Sequence, residues 1–294
     1  MSPLRPLAER FEGAPYNADL GFQIDTIEPD RVQLRLPFKD VIANPGGALH
    51  GGVTASSINV AGVLAAWTGI DPRPNLQGGT LDLGVNYLAA AIEEDIVATA
   101  EVLRRGKEIV YSAVTVRNDG GKRIAAGLVT YRIVDPAAVA QAGSRQRHAP
   151  AEPLPAEPSL IRGAAAFVSF GFIARLGMQA VHAADGCAVL CMPPRPETSD
   201  ADGTVHEGAL AALIDTAGAL ASWSVVGLNL TYKASTVGIH VNYHGPARDE
   251  SVVASARTLR RDNEIFLNQV TVSGQTSGHV VATGSVTYRI VVPD

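Results

Sequence analysis

Two histidines in this sequence end glycine-containing turns that lead into long apolar runs. The first, His50, lies near the end of the stretch Asn44-Pro-Gly-Gly-Ala-Leu-His50-Gly51-Gly52. A run of small and aliphatic residues from Val53 to Trp67 follows. A helix that begins in such a turn leaves its first backbone N–H groups without partners, and the helix dipole adds partial positive charge there. The turn therefore indicates a site that could hold an oxyanion.

The same pattern returns further along the chain. His206 lies in the stretch from Asp200 to Gly208, and a second apolar run extends from Ala209 to Trp223. An offset of 156 residues aligns the two turns, and it also pairs Leu20-Gly21 with Leu176-Gly177, Trp67 with Trp223, Thr80 with Thr236, and Asn86-Tyr87 with Asn242-Tyr243. The sequence therefore predicts a duplicated domain. We place copy one at residues 1–134, an extended linker rich in Ala and Pro at 135–159, and copy two at 160–294.

Each copy has the pattern of an α+β unit. In copy one a short helical segment and a hairpin precede the long apolar helix, and strands follow it; the predicted strands are Phe22–Ile27, Val32–Pro37, Gly79–Tyr87, Ile96–Arg105, Glu108–Arg117 and Lys122–Ile133. The turn Asn118-Asp-Gly-Gly joins the last two strands as a hairpin. We expect an antiparallel sheet that wraps one helix in each copy.

Helix geometry decides how a histidine and a carboxylate could cooperate. Asp215 follows His206 by nine residues within one helix. Nine residues rise about 13.5 Å and turn through about 900°, which is half a turn beyond two full turns. These two side chains therefore cannot share a site, and the partner must come from the other copy. Two units related by a two-fold axis supply that arrangement twice.

The two composite sites differ, because position 59 is Asn where position 215 is Asp. The site that contains the helix carboxylate consists of Asn44, His50, Gly51, Asp215 and Thr236. The other site consists of Asp200, His206, Glu207, Asn59 and Thr80. An amide can neither accept a proton nor attack a carbonyl. We therefore predict one competent site per chain and a degenerate second site.

The motif Asn-x-x-Gly-x-x-His-Gly-Gly, with an Asp nine residues after the His, resembles that of the hotdog-fold acyl-CoA thioesterases of the phenylacetate-pathway (PaaI-like) type. The residues that match it are Asn44, Gly47, His50, Gly51 and Gly52 in copy one and Asp215 in copy two. The resemblance covers nearly the whole of both copies. It implies a tandem hotdog fold paired as a pseudo-dimer, with sites at the unit interface, and hydrolysis of an acyl-CoA thioester without metal or organic cofactor.

The resemblance also implies a role for each residue. The N–H of Gly51 would polarise the thioester carbonyl and hold the oxyanion. Asp215 would act as general base toward water or as nucleophile, in apolar surroundings that raise the pKa of a carboxyl group. Thr236, or Ser235 beside it, would orient the water, while Asn44 and His50 would position the thioester and the leaving thiolate.

Further residues are candidates for substrate binding. Gly52 belongs to the turn, and Arg104, Arg105 and Arg260, with Lys107 and Arg261 beside them, could hold the phosphates of CoA. The basic residues could equally be solvated strand ends.

Composition excludes several other classes. A net charge of −5 leaves no basic surface for nucleic acid, and no long uncharged apolar run or leader indicates a membrane partner or export, so we expect a cytoplasmic protein. Cys187 and Cys191 are four apart in a predicted strand, roughly 13 Å, which is too far for a disulfide, and no metal site is indicated.

Two other functions remain open at this point. One is a hotdog hydratase or dehydratase, although its usual His and Asp/Glu spacing is not found. The other is a non-catalytic acyl-CoA binding or sensing protein, which the loss of the carboxylate at Asn59 suggests and the retention of Asp215 disfavours. Association of the double-unit chains into homo-oligomers is possible.

Overall fold

The computed structural model describes residues 4–70, 76–136, 149, 151, 155–229 and 231–292. The first unit contains α1 (Arg5–Glu12), α2 (Pro15–Leu20), β1 (Gln23–Glu28), β2 (Arg31–Leu36), α3 (Gly51–Thr68), β3 (Gln77–Tyr87), β4 (Ile96–Arg105), β5 (Ile109–Asn118) and β6 (Arg123–Val134). The second contains α4 (Ala164–Phe167), α5 (Gly171–Arg175), β7 (Gln179–Ala184), β8 (Cys187–Met192), α6 (Glu207–Val226), β9 (Lys233–Tyr243), β10 (Val252–Asp262), β11 (Ile265–Gly274) and β12 (Val280–Val291). Most of the predicted linker lies outside the described residues.

The described strands form one antiparallel sheet in the order β1-β2-β4-β5-β6-β3-β9-β12-β11-β10-β8-β7. The predicted hairpin at Asn118 is confirmed, since β5 pairs with β6 up to Arg117 and Arg123. The two halves of the sheet join where β3 pairs with β9, with Leu83 opposite Val241. The sheet therefore runs without a break from one unit into the other.

The central helices α3 and α6 lie inside this sheet and pack against each other. Nearly every residue of both helices is buried, which explains why neither has a polar face. A methyl group on Gly52 would lie 2.5 Å from the Cβ atom of Ala212, so glycine lets the helices approach closely near their first turns. By length and hydropathy α6 could cross a membrane, but 89% of its most apolar stretch is buried inside the protein.

The two cysteines are free, as the spacing predicts. Within the described residues no group of three or more His, Cys, Asp or Glu side chains is placed to bind a metal ion.

Candidate active site

His50 occupies the N-cap position of α3. Its backbone is extended (φ −62°, ψ 141°), and its Nδ1 atom accepts a hydrogen bond of 3.0 Å from the backbone N–H of Gly52. An accepting Nδ1 places the proton of the neutral ring on Nε2. Burial lowers the pKa of His50, although the nearby carboxylate of Asp215 opposes this shift. The imidazole is therefore neutral near pH 7 and offers one N–H donor.

Asp215 comes from the middle of α6, in the other unit, and only 3% of it is exposed. Its Oδ1 atom accepts a hydrogen bond of 2.6 Å from the hydroxyl of Thr236, and its Oδ2 atom lies 3.8 Å from Nδ1 of His50. Burial raises the pKa of this carboxyl group, whereas His50, Thr236 and the N–H of Gly52 act in the opposite direction. The structure thus places the helix carboxylate and the imidazole from different units side by side.

Gly51, the first residue of α3, has no room for a side chain. A Cβ atom at this position would lie 2.6 Å from Oδ2 of Asp215 and 3.4 Å from the hydroxyl oxygen of Thr236. The carbonyl of Gly51 accepts a hydrogen bond of 2.9 Å from the hydroxyl of Tyr87, which fixes the peptide. Among the described residues the N–H of Gly51 has no partner. It is available to an oxyanion.

These groups stand at a cavity of about 350 Å³ at the interface of the two units. All five predicted residues of the competent site line it: Asn44, His50, Gly51, Asp215 and Thr236. Ser235 lines it as well. The Asn44 side chain is exposed, and its oxygen accepts hydrogen bonds from the N–H groups of Gly46 (3.0 Å) and Ala48 (3.2 Å), so it holds the shape of the turn.

The apolar wall of the cavity includes residues that sequence reasoning missed. They come from both units and include Leu88, Ile124, Phe167, Phe170, Ile173 and Ala219. Three of them lie in or beside the short helices α4 and α5, and Phe172 of α5 packs against the ring of His50 with centroids 5.6 Å apart. In the sequence, the three phenylalanines between positions 167 and 172 could have indicated this apolar wall. Their place over the turn of the other unit depends on how the units pair.

The four predicted substrate-binding residues are not among those that line the cavity. Gly52 is buried beneath His50, where its N–H is used and its Cα packs against Ala212. The guanidinium of Arg105 binds the carboxylate of Asp30 and the carbonyl of Ala66, near the C-terminal end of α3. That end is about 27 Å from the helix start, because α3 has 18 residues.

The two other arginines also fit the alternative that these residues are solvated strand ends. Arg260 forms an ion pair of 2.9 Å with Asp262, and both side chains are largely exposed. Arg104 is exposed on β4. Assignment of the three arginines to the phosphates of a substrate in this cavity is therefore not supported by their positions.

The second composite site has the same backbone frame and different contents. His206 caps α6 as His50 caps α3, with Nδ1 accepting a 2.9 Å hydrogen bond from the N–H of Gly208. Its ring stacks on Tyr16 at 4.3 Å, and burial lowers its pKa to about 4. Burial raises the pKa of Asp200 to about 6, with a further contribution from Asp202.

The carboxylate of Glu207 is hydrogen-bonded to Thr80 and Asn59 in this second site. Its Oε1 atom accepts a hydrogen bond of 2.6 Å from the backbone N–H of Thr80, and its Oε2 atom accepts from the Thr80 hydroxyl. The Asn59 amide donates to the Thr80 hydroxyl (3.0 Å) and to Oε2 of Glu207 (3.3 Å). Where the first site has a glycine and open space, the second has a bound carboxylate.

A duplicated α+β unit with two central helices inside one antiparallel sheet, and a site at the junction of the units, defines a double-hotdog protein. A hotdog-fold protein from Alicyclobacillus acidocaldarius is similar over 97% of this chain and 98% of its own, with a TM-score of 0.67 and 17% identity. The acyl-CoA thioesterase II TesB2 from Mycobacterium marinum matches over 92% of this chain and 97% of its own, with a TM-score of 0.65 and 14% identity. These similarities confirm the predicted tandem fold.

The sequence comparison gives the family. The model of the thioesterase superfamily matches residues 46–125 and again residues 202–281, together more than half of the chain. The chain therefore belongs to the thioesterase superfamily, and the predicted class of enzyme, a thioester hydrolase, is confirmed at this level. The narrower PaaI-like type stays a prediction.

Two relatives illustrate the match. The human protein named acyl-coenzyme A thioesterase 13 is 33% identical over 101 residues, which cover 34% of this chain and 70% of the human protein. The Escherichia coli protein named medium/long-chain acyl-CoA thioesterase YigI is 27% identical over 132 residues, which cover 40% of this chain and 85% of its own length.

Proposed function

We propose that this protein hydrolyses acyl-CoA thioesters at the single interface site that contains Asp215. The observation that carries the proposal is the position of this buried carboxylate in the wall of a largely apolar cavity. It is hydrogen-bonded to Thr236 on one oxygen and faces His50 and the backbone of Gly51 with the other. The names of the human and E. coli relatives support the choice of acyl-CoA as substrate.

The chemistry follows from the donors and acceptors at hand. Asp215 takes a proton from water, whose oxygen attacks the thioester carbonyl carbon, and the oxyanion that forms accepts from the N–H of Gly51. The carbon–sulfur bond then breaks, and the proton that Asp215 took from water passes to the leaving thiolate of CoA, which restores the carboxylate. The products are a carboxylic acid and CoA.

Direct attack by Asp215 would use the same groups and pass through a mixed anhydride. A single turnover in ¹⁸O-labelled water detects the anhydride route where water opens the anhydride at the protein carboxyl. General-base catalysis places the label in the product acid alone. Opening of an anhydride at the protein carboxyl places it in Asp215.

A panel of acyl-CoAs from acetyl to palmitoyl, with phenylacetyl-CoA included and a thiol-detecting reagent as the readout, tests the proposed function. Hydrolysis of at least one member supports it. Binding without turnover would instead favour an acyl-CoA sensor. The cytoplasmic location, the absence of nucleic-acid and membrane partners and the pairing of chains stay predictions.

The activity should depend on pH through the ionisation of Asp215. Burial raises the pKa of this carboxyl group above the ordinary value, and its ionised form is the active base. We therefore expect kcat/KM to fall as the pH drops through the raised pKa, at a higher pH than an exposed aspartate would give. The Thr236 hydroxyl stabilises the ionised form, so T236V should move this acid limb to higher pH and lower the rate near pH 7 by about 10-fold or more.

The pH–rate profile of T80V is the matched control, since Thr80 occupies the equivalent place in the second site. Its acid limb should coincide with that of the wild type. A limb that shifts equally in the two variants would show that the titrating group is not Asp215.

The cavity also predicts which residue limits the length of the acyl group. Ala219 follows Asp215 by one turn of α6, and it lines the cavity. A219L should lower kcat/KM for the longest acyl-CoA that the wild type accepts by about 10-fold or more, because poorly accommodated methylene groups cost about 1–3 kcal/mol. Hydrolysis of acetyl-CoA should be nearly unchanged.

Val63 on α3 is the counterpart of Ala219 in the other unit. V63L should leave the chain-length profile as it is. If A219L leaves the chain-length profile unchanged, the acyl chain does not extend from Asp215 toward Ala219.

A further inference from the structure

The second composite site carries a ligand that belongs to the chain itself. Glu207 is the counterpart of Gly51, and its side chain enters the site that Gly51 leaves open. Its carboxylate receives hydrogen bonds from the backbone N–H and the hydroxyl of Thr80 and from the amide of Asn59. All three donors belong to the first unit, so Glu207 of the second unit also ties the units together.

Each of the two sites contains one carboxylate next to its threonine, but from a different place in the chain. In the first site it comes from the helix position, Asp215, and the turn position is Gly51. In the second site the turn position supplies it, Glu207, and the helix position is Asn59. The exchange keeps one carboxylate beside each threonine, which avoids two like charges at that position.

The hydrogen bond between the threonine and the helix residue has opposite directions in the two sites. The Thr236 hydroxyl donates to Asp215 in the first site. In the second, the Thr80 hydroxyl donates to Glu207 and accepts from the Asn59 amide. An aspartate at position 59 could not donate to either group. Asn59 and Glu207 therefore form a matched pair, and a change of one alone leaves the site either blocked or without a base.

The remaining frame of the second site is retained. His206 caps α6 with nearly the backbone angles of His50 (φ −65°, ψ 138°), and its Nδ1 accepts from Gly208 in the same way. The Tyr243 hydroxyl holds the carbonyl of Glu207 at 2.9 Å, as Tyr87 holds that of Gly51. The turn, the cap and the threonine are thus in place around the inserted carboxylate.

From these contacts we propose that the second interface is a latent acyl-CoA hydrolase site that the Glu207 carboxylate keeps occupied. This inference rests on the proposed function of the first site. It follows that E207G alone opens the second site to the same ligand class, and that N59D and E207G together, and neither alone, give this site the same reaction. The wild-type protein then binds one acyl-CoA per chain.

The test uses the full chain with the first site disabled by D215N. In this background the pair N59D and E207G should raise acyl-CoA hydrolysis at least 10-fold above D215N alone. The two controls carry only one of the changes. With E207G the second site is open but has no base, and with N59D it has a base but stays blocked, so both should remain at the level of D215N. Recovery confined to the triple variant supports the inference, and equal activity in all four proteins overturns it.

A binding measurement covers the case in which the triple variant does not fold. Calorimetric titration with S-hexyl-CoA, a thioether that cannot be hydrolysed, should give one site per chain for the wild type and two for E207G. A stoichiometry that stays at one for the folded E207G protein overturns the inference. Failure of the proposed function would appear separately, as a wild type that hydrolyses no acyl-CoA, because the stoichiometry does not depend on turnover.

Discussion

Replacement of Asp215 by asparagine is expected to lower kcat/KM for acyl-CoA hydrolysis by about 10³-fold or more. Asparagine has nearly the same shape and can still accept a hydrogen bond from Thr236, but it cannot take a proton or attack a carbonyl. The loss should therefore appear in kcat, with little change in the affinity for substrate. Steady-state kinetics and titration with S-hexyl-CoA measure the two separately.

Asn59 is the matched control, because it occupies the same position on the other central helix. N59A removes hydrogen bonds to Thr80 and Glu207 in the second site and should leave most of the activity. Equal losses in D215N and N59A would contradict the assignment of one competent site per chain. A D215N protein that keeps the wild-type rate would remove Asp215 from the chemistry altogether.

The second large effect is expected from G51A. The added methyl group would lie 2.6 Å from Oδ2 of Asp215, which is too close for the carboxylate to stay in place. The variant must displace either Asp215 or the first turn of α3, and both movements disturb the oxyanion donor. Loss of such a donor costs about 10²–10³ in kcat, and we expect G51A to lose at least that much. Steady-state kinetics of the purified variant checks this.

Position 207 supplies the control, because it is the same N1 position in α6 and already carries a side chain. E207A should keep the wild-type rate of the first site. Thermal unfolding of G51A should show a folded protein, so that the loss is assigned to the site. A G51A enzyme as active as the wild type would mean that the space above Gly51 is not used by substrate.

Much of this architecture could be predicted from the residues alone, for local reasons. The repeat, the apolar helices and the Asn118 turn are properties of spacing and turn chemistry, so they needed no knowledge of packing. Helix geometry likewise separates His206 from Asp215 within one unit. Because that separation is large, the need for a partner from the other copy also follows from the sequence.

Other features depended on how distant segments pack. The arginines were ambiguous in the sequence because a strand-end guanidinium can reach solvent, substrate or a neighbouring carboxylate, and only the fold gave Arg105 its partners Asp30 and Ala66. Gly52 looked like part of the binding turn, whereas the close approach of α3 and α6 places it under His50.

The sequence by itself determined that the chain is a duplicated α+β protein and that a carboxylate is present at only one of two equivalent helix positions. It also showed a glutamate at the turn of the second unit, but not where its side chain goes. The tertiary structure decided that Glu207 enters the second site and that residues in and beside α4 and α5 line the first. Those outcomes depend on the pairing of the two units, which brings together residues more than 100 positions apart.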